Sequence, residues 1–230
     1  MKSVLIRLEG PLQAWSSQGK LRIRDTEREP TKSGVLGLVG AALGMERDDD
    51  ALLAELRTLS LAVRVDRPGS LLRDYHTAGG GRFRGAKYLV HGAGDCVPSE
   101  RYYLQDASFV AALGGDDALV ERVATALRSP HWPLFLGRRA CPPGVEPFIA
   151  LAAAGAAGAA RAAPRALLRQ GEDVQTPLRL VVEAPPSAGG EPRYDDPLSF
   201  AHTRRSFGIR YVKTEWVTLP DAALQEVANT

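Results

Sequence analysis

The chain has 230 residues, a formal net charge of +2 at pH 7, 44% hydrophobic residues and 24% charged residues. That is the composition of an ordinary soluble globular protein, long enough for one large domain or a domain with a small appendage. No apolar run approaches the ~20 residues needed to cross a bilayer, so no membrane contact is expected. The apolar core of MKSVLIRLEG is too short for a signal peptide and carries charge at Arg7 and Glu9, which points to a cytoplasmic protein.

Val4, Ile6 and Leu8 alternate with Leu5, Arg7 and Glu9, a period-2 pattern that predicts an opening strand. A polar loop follows from Pro11 to Pro30. Val35, Leu38, Val39, Ala42 and Leu43 then fall at helical spacing, predicting an amphipathic helix with Thr31 or Ser33 as its cap and Gly44 as its stop. A short helix is expected from about Asp49 to Arg57. Leu59, Leu61, Val63 and Val65 alternate with Ser60, Ala62, Arg64 and Asp66, a second half-buried strand closed by Pro68-Gly69.

From Leu71 to Glu100 glycine mixes with basic and aromatic residues, which reads as a long loop or loose hairpin inserted into the domain. RYYLQDASFVAAL (101–113) reads as one strand. Asp116 is placed to cap a helix over DDALVERVATALRS, and PLFLGRR reads as a short apolar strand running into Gly137-Arg138-Arg139. The order strand, helix, strand, insertion, strand, helix, strand is βαββαβ, the ferredoxin-like arrangement of RNA-recognition modules. The fold class expected is α+β. A ferredoxin-like (RRM-like) domain spans residues 1–149, interrupted by that inserted loop or loose hairpin. A smaller β-containing subdomain spans residues 150–230. Within the latter, the alanine-rich FIALAAAGAAGAARAAPRALLRQG suggests a strand, a linker and a short helix ending at Gly171. Pro177 to Glu183 reads as a strand, PPSAGGEPRYDDP as a loop, and Phe207 to about Thr218 as a closing strand.

Chemistry narrows next. Cys96 and Cys141 stand alone, and the four histidines are scattered, so neither zinc nor any other cofactor is expected. The 29 basic residues are 24 Arg and 5 Lys. A GC-rich genome accounts for much of that bias, but local clustering suggests a side that faces a polyanion. Arg67, Arg73, Arg82, Arg84 and Lys87 stand against Asp74 alone, and Arg204, Arg205, Arg210 and Lys213 against no acid. Arginine pairs bidentately with phosphate and stacks on bases.

Four segments could carry this contact. The helix start at Thr31, Lys32 and Ser33 offers free N–H groups, two hydroxyls and an ammonium, which suit a phosphate. A capped helix packed tightly on its sheet explains the same residues. LFLGRRACPP sets Arg138 and Arg139 after a glycine at a sheet edge, as a phosphate contact or a solvated turn. RDYHTAGGGRFRGAKYLVHG interleaves Tyr75 and His76 with Arg82 and Arg84, as a single-strand binding element or a surface loop. HTRRSFGIRYVK carries Arg204 and Arg205 with the same two readings. For catalysis, His76 with Tyr75 or Lys87 could serve metal-free RNA cleavage, and neither an acidic cluster for two-metal chemistry nor a nucleophile elbow is present.

PLQAW (11–15), R-x-T-x-R-x-PTKSGVLGLVGAALG (24–44), DYHTAGGG (74–81), R-x-YLQDASF (101–109) and WPLFLGRRACPP (132–143) occur in this order. Together they resemble the CasD-like family, the small repeat-associated (RAMP) subunits of the type I-E CRISPR surveillance complex Cascade. The resemblance implies a ferredoxin-like domain with LGRRACPP as its glycine-rich loop and a protruding thumb hairpin within about 72–101. It also implies a non-catalytic subunit that caps one end of the complex and grips the 5′ handle of the CRISPR RNA. Its neighbours would be the backbone subunit CasC and the large subunit CasA, and target DNA would be met only through the complex. Carried over by motif, the RNA contacts are Arg24, Thr31, Lys32, Ser33, Tyr75, His76, Arg138 and Arg139, with Arg204 and Arg205. Type I-C relatives cleave RNA, so the alternative is a metal-independent endoribonuclease acting on CRISPR repeat RNA.

Overall fold

The computed structural model describes residues 1–16, 22–79, 96–166, 168, 172–173 and 175–219. A seven-stranded sheet, antiparallel throughout, runs through the described residues. Its strands are β1 (Lys2–Glu9), β4 (Ser60–Arg67), β7 (Ser108–Gly115), β8 (Phe148–Ala152), β9 (Leu178–Glu183), β10 (Glu191–Ser199) and β11 (Ser206–Val217). They lie in the order β10-β11-β9-β4-β7-β1-β8. Three helices, α1 (Lys32–Leu43), α2 (Asp50–Arg57) and α3 (Asp117–Arg128), cover one face, and α4 (Ala156–Ala162) covers part of the other. None of the described helices is long and apolar enough to cross a membrane.

The central strands are buried on both sides. Ile6, Leu8, Leu61, Val63, Phe109 and Leu113 pack under α1 and α3, while Leu5, Ala62, Val110 and Ala112 pack under α4. This corrects the expectation of half-buried strands. The polar side of β4 is Arg64, fully buried, and Asp66, also buried. The Arg64 guanidinium donates to Asp66 at 2.6 and 3.1 Å and to the carbonyls of Ala160, Ala163 and Pro164 at 2.7–3.0 Å. Arg7 adds a second cation on Asp66 at 2.8 Å. The charge is tolerated there because every donor meets an acceptor.

Helix α1 is held as its caps require. Thr31 Oγ1 accepts from the Gly34 N–H at 3.2 Å, and Gly44 closes the other end at φ +75°. No α1 residue is exposed, so the helix is not amphipathic but enclosed. Its glycines meet three different side chains: Gly34 lies against Trp15, Gly40 against Met45 and Gly37 against Phe200. Thr31→Ala is expected to cost about 1 kcal/mol, the usual loss of an N-cap, measured by urea denaturation.

Other corrections concern strand ends. RYYLQDASFVAAL is two strands, broken at Asp106, which turns the chain at φ +58°. Pro133 to Arg139 is not a strand, and β8 takes the edge beside β1 instead. The alanine stretch read as a linker forms α4, and the loop read over PPSAGGEPRYDDP holds most of β10. Of the helix expected to end at Gly171, residues 163–166 and 168 are irregular, and 167 and 169–171 lie outside the described residues.

Candidate nucleic-acid interface

The second sheet is a long ribbon. Its strand β6 (Cys96–Gln105) pairs along one side with β5 (Ser70–Gly79), from Ser70↔Gln105 to Gly79↔Cys96. On its other side lie β2 (Leu12–Gln13), antiparallel, and β3 (Ile23–Arg24), parallel. Residues 80–95, with the expected contacts Arg82 and Arg84, lie outside the described residues.

Register assigns the side chains to two faces, because successive residues of a strand point opposite ways. One face carries Arg24, Arg101 and Asp74 in a row, with Leu72-Tyr103 on one side and His76-Ser99 on the other. The opposite face carries Ile23, Arg73, Tyr75, Glu100 and Tyr102. Tyr75 and His76, neighbours in sequence, therefore serve different faces. Tyr75 is exposed, as is Arg73, which bonds Glu100 at 2.7 Å and is held more firmly charged by that hydrogen bond.

The glycine loop closes on the first face. Gly137 adopts φ +87°, and a Cβ there would lie 1.8 Å from the Ala14 carbonyl oxygen, so only glycine fits. The Ala14 N–H donates to the Leu136 carbonyl at 3.1 Å. Arg138 turns inward. Its Nη1 donates to the Tyr102 carbonyl at 3.0 Å, and its Nη2 to the carbonyls of Arg24 at 2.7 Å and Asp25 at 2.9 Å. Its guanidinium carbon sits 4.8 Å from the centre of the Tyr103 ring. Arg139 stays exposed without a partner among the described residues. Cys141 in the same loop is fully buried, and burial pushes its thiol pKa up, as befits an inert packing residue.

The start of α1 is a separate place, and its anion belongs to the chain itself. The Lys32 N–H donates to Asp195 at 2.8 Å, and the Lys32 ammonium pairs with Glu183 at 3.0 Å. Asp195 also accepts from Arg210 at 2.6 and 2.9 Å. Thr31, Lys32 and Ser33 are all buried beneath these contacts. The helix start thus attracts a negative group as expected, but the group is a carboxylate of β10 and not a phosphate. The run from His202 to Lys213 is likewise no free basic strand. Arg204 pairs with Asp50 at 2.8 Å, Arg210 is buried, and Lys213 lies 3.9 Å from Glu215. Arg205 is exposed, 5.2 Å over the Phe207 ring, on the turn beside α2.

Sequence reasoning missed Arg101. It faces Arg24 across β6 and β3, and its Nε is buried without a hydrogen-bond partner among the described residues. The alternation Arg101, Tyr103 within RYYLQ was the available signal. Arg22 and Arg28 are exposed at either end of the same short segment. Elsewhere most described arginines are neutralised: Arg7, Arg57, Arg64, Arg161, Arg179, Arg193 and Arg210 each bond a carboxylate. At the ribbon base Arg22, Arg24, Arg101, Arg138 and Arg139 bond no carboxylate among the described residues.

The chain is similar to solved and curated proteins along most of its length. A chain described as "Crystal structure of Cas protein" matches at TM-score 0.72 and 35% identity, covering 96% of each chain. One from a "CRISPR RNA-guided surveillance complex" matches at TM-score 0.74 and 30% identity, over 96% of this chain and 92% of that one. "CRISPR system Cascade subunit CasD" of Escherichia coli (strain K12) is 41% identical over 157 residues, 62% of this chain and 68% of that protein. The family described as "CRISPR-associated protein (Cas_Cas5)" matches residues 3–213. With this span matched, the chain belongs to the Cas5 family of CRISPR-associated proteins.

Proposed function

We propose that the chain is a non-catalytic, RNA-binding subunit of a cytoplasmic CRISPR surveillance complex of the Cascade type. In this reading it holds the 5′ handle of the CRISPR RNA and caps the backbone, beside CasC and CasA, and meets target DNA only through the complex. The strand order β4-β7-β1-β8, with α1 and α3 on one face, supports a ferredoxin-like core over residues 1–152, β8 carrying it just past the expected boundary at 149. The β5–β6 ribbon serves as its thumb, and residues 150–230 form a subdomain whose strands lengthen the same sheet.

The observation that carries the reading is the concentration of unpaired arginines at the ribbon base. A cation without a carboxylate partner is free to neutralise a phosphate, and bound RNA releases its counterions in exchange. Arg24 and Arg101, together on one face of the ribbon, and the exposed Arg139 are the direct contacts, with His76 on that face and Tyr75 on the opposite face available for base stacking. Thr31, Lys32 and Ser33 hold the frame. Arg204, already paired with Asp50, and Arg205 are peripheral contacts.

Titrating the full chain with a repeat-derived single-stranded RNA at several salt concentrations tests this. Arg24→Ala with Arg139→Ala should weaken binding at least ten-fold and flatten the log–log salt slope by about 0.7 for each phosphate no longer neutralised. Unchanged affinity and slope would refute the assignment. The RNA should also stay intact in EDTA; a product ending in a 2′,3′-cyclic phosphate, lost on His76→Ala, would favour the endoribonuclease instead.

A further inference from the structure

We propose that Arg138 is a positioning residue for RNA, acting through Arg24 instead of contacting phosphate itself; this rests on the RNA-binding reading of the ribbon base. Among the described residues, the Arg138 guanidinium hydrogen-bonds only backbone carbonyls, those of Arg24, Asp25 and Tyr102. They come from two chain segments, β6 and the end of β3, while Arg138 belongs to a third, the glycine loop. The Tyr103 ring covers one face of the guanidinium. Three of the five N–H donors of the fork, including both on Nη2, are therefore spent within the protein.

Strand β3 needs such a support. It is two residues long and its ladder to β6 spans only Ile23↔Glu100 and Arg24↔Arg101. A pairing this short does not fix a strand alone. Two of the three Arg138 hydrogen bonds fall on Arg24 and Asp25, where β3 ends. They set the backbone that aims the exposed Arg24 side chain.

Lysine keeps the charge of Arg138 but has one terminal nitrogen on a flexible stem, and it cannot span the two segments as a planar fork does. A phosphate contact would survive that exchange in large part; a positioning role would not. The substitution Arg138→Lys therefore separates the two.

The experiment compares RNA binding by the full chain for wild type, Arg24→Ala, Arg138→Lys and the double variant, using the repeat-derived RNA. Arg138→Lys should lose as much affinity as Arg24→Ala, and the double variant should bind within about two-fold of Arg24→Ala alone, because two residues acting as one unit are not additive. Amide hydrogen exchange of the RNA-free protein should speed up at residues 22–26 in Arg138→Lys while β1, β4 and β7 keep their protection. The same measurements on Arg138→Gln cover the case in which the lysine variant fails to fold. Additive losses with unchanged exchange at 22–26 would make Arg138 an independent contact and overturn the proposal. Wild-type affinity in Arg138→Lys would overturn it as well. If Arg24→Ala binds like wild type, it is the RNA reading of this face that fails, and the proposal falls with it.

Discussion

Replacing Asp195 with alanine is expected to destabilise the fold by about 3–5 kcal/mol, the cost of leaving a buried charge without its partner. Asp195 is 3% exposed and serves two groups at once, the Arg210 guanidinium and the Lys32 N–H at the start of α1. Two cations, Lys32 and Arg210, face two anions, Asp195 and Glu183. Without Asp195 only Glu183 remains, 3.0 Å from Lys32 and 3.8 Å from Arg210. The helix start also loses the anion that complements its dipole. Marginal domains hold about 5–15 kcal/mol in total, so this loss is a large share of it. Asp195→Asn keeps an acceptor of the same size and should cost less. A double change, Asp195→Leu with Arg210→Met, removes both partners and should recover part of the loss. Urea denaturation at neutral pH reads all three. A loss under about 1 kcal/mol for Asp195→Ala would mean that the network does not join α1 to the C-terminal strands.

That network also explains which features could be read from the sequence. The elements whose cause is local were legible: β1 and β4 by alternation, α1 by Thr31 and Gly44, α3 by Asp116. Those whose cause is tertiary were not. Asp195 lies 163 residues from Lys32 in the chain, so nothing near Lys32 signals that its helix start is already filled. Arg64 and Asp66 alternate as a solvent-facing row would, and only the end of α4 and the irregular stretch after it, 160–166, turn them into buried groups. Strand β10 has prolines and adjacent aspartates that read as a turn; Asp195 and Asp196 are spent on Arg210 and Arg57. At the ribbon base the residue types were legible, with Arg24, Arg138 and Arg139 all marked by motif. Their division of labour was not. Arg138 and Arg139 are adjacent and chemically identical, yet one meets three carbonyls and the other meets solvent.

Gly137 is where loop geometry and RNA contact become one question, and Gly137→Ala is expected to damage both. The residue sits at φ +87°, a conformation that costs a side chain about 1–2 kcal/mol before any contact is considered. The added Cβ would also stand 1.8 Å from the carbonyl oxygen and 2.8 Å from the carbonyl carbon of Ala14. Ala14 cannot yield. It lies between Gln13, whose buried amide donates to the carbonyls of Leu8 and Ala107 at 3.0 and 2.8 Å, and Trp15, whose indole N–H donates to Gln13 at 3.0 Å. The loop must move instead, carrying Arg138 away from β3 and β6. Stability should fall by about 3 kcal/mol or more, in the range reserved for strain at a special backbone position. RNA affinity should fall at least as far as in Arg138→Lys, because the same three hydrogen bonds are broken. Gly144→Ala is the control in the same loop. Its Cβ would meet Gly10 Cα at 3.3 Å and Glu9 O at 3.6 Å, at no positive φ, so a small loss of stability and wild-type RNA binding are expected. Equal behaviour of the two variants would show that loop position, not the left-handed turn at Gly137, controls the interface.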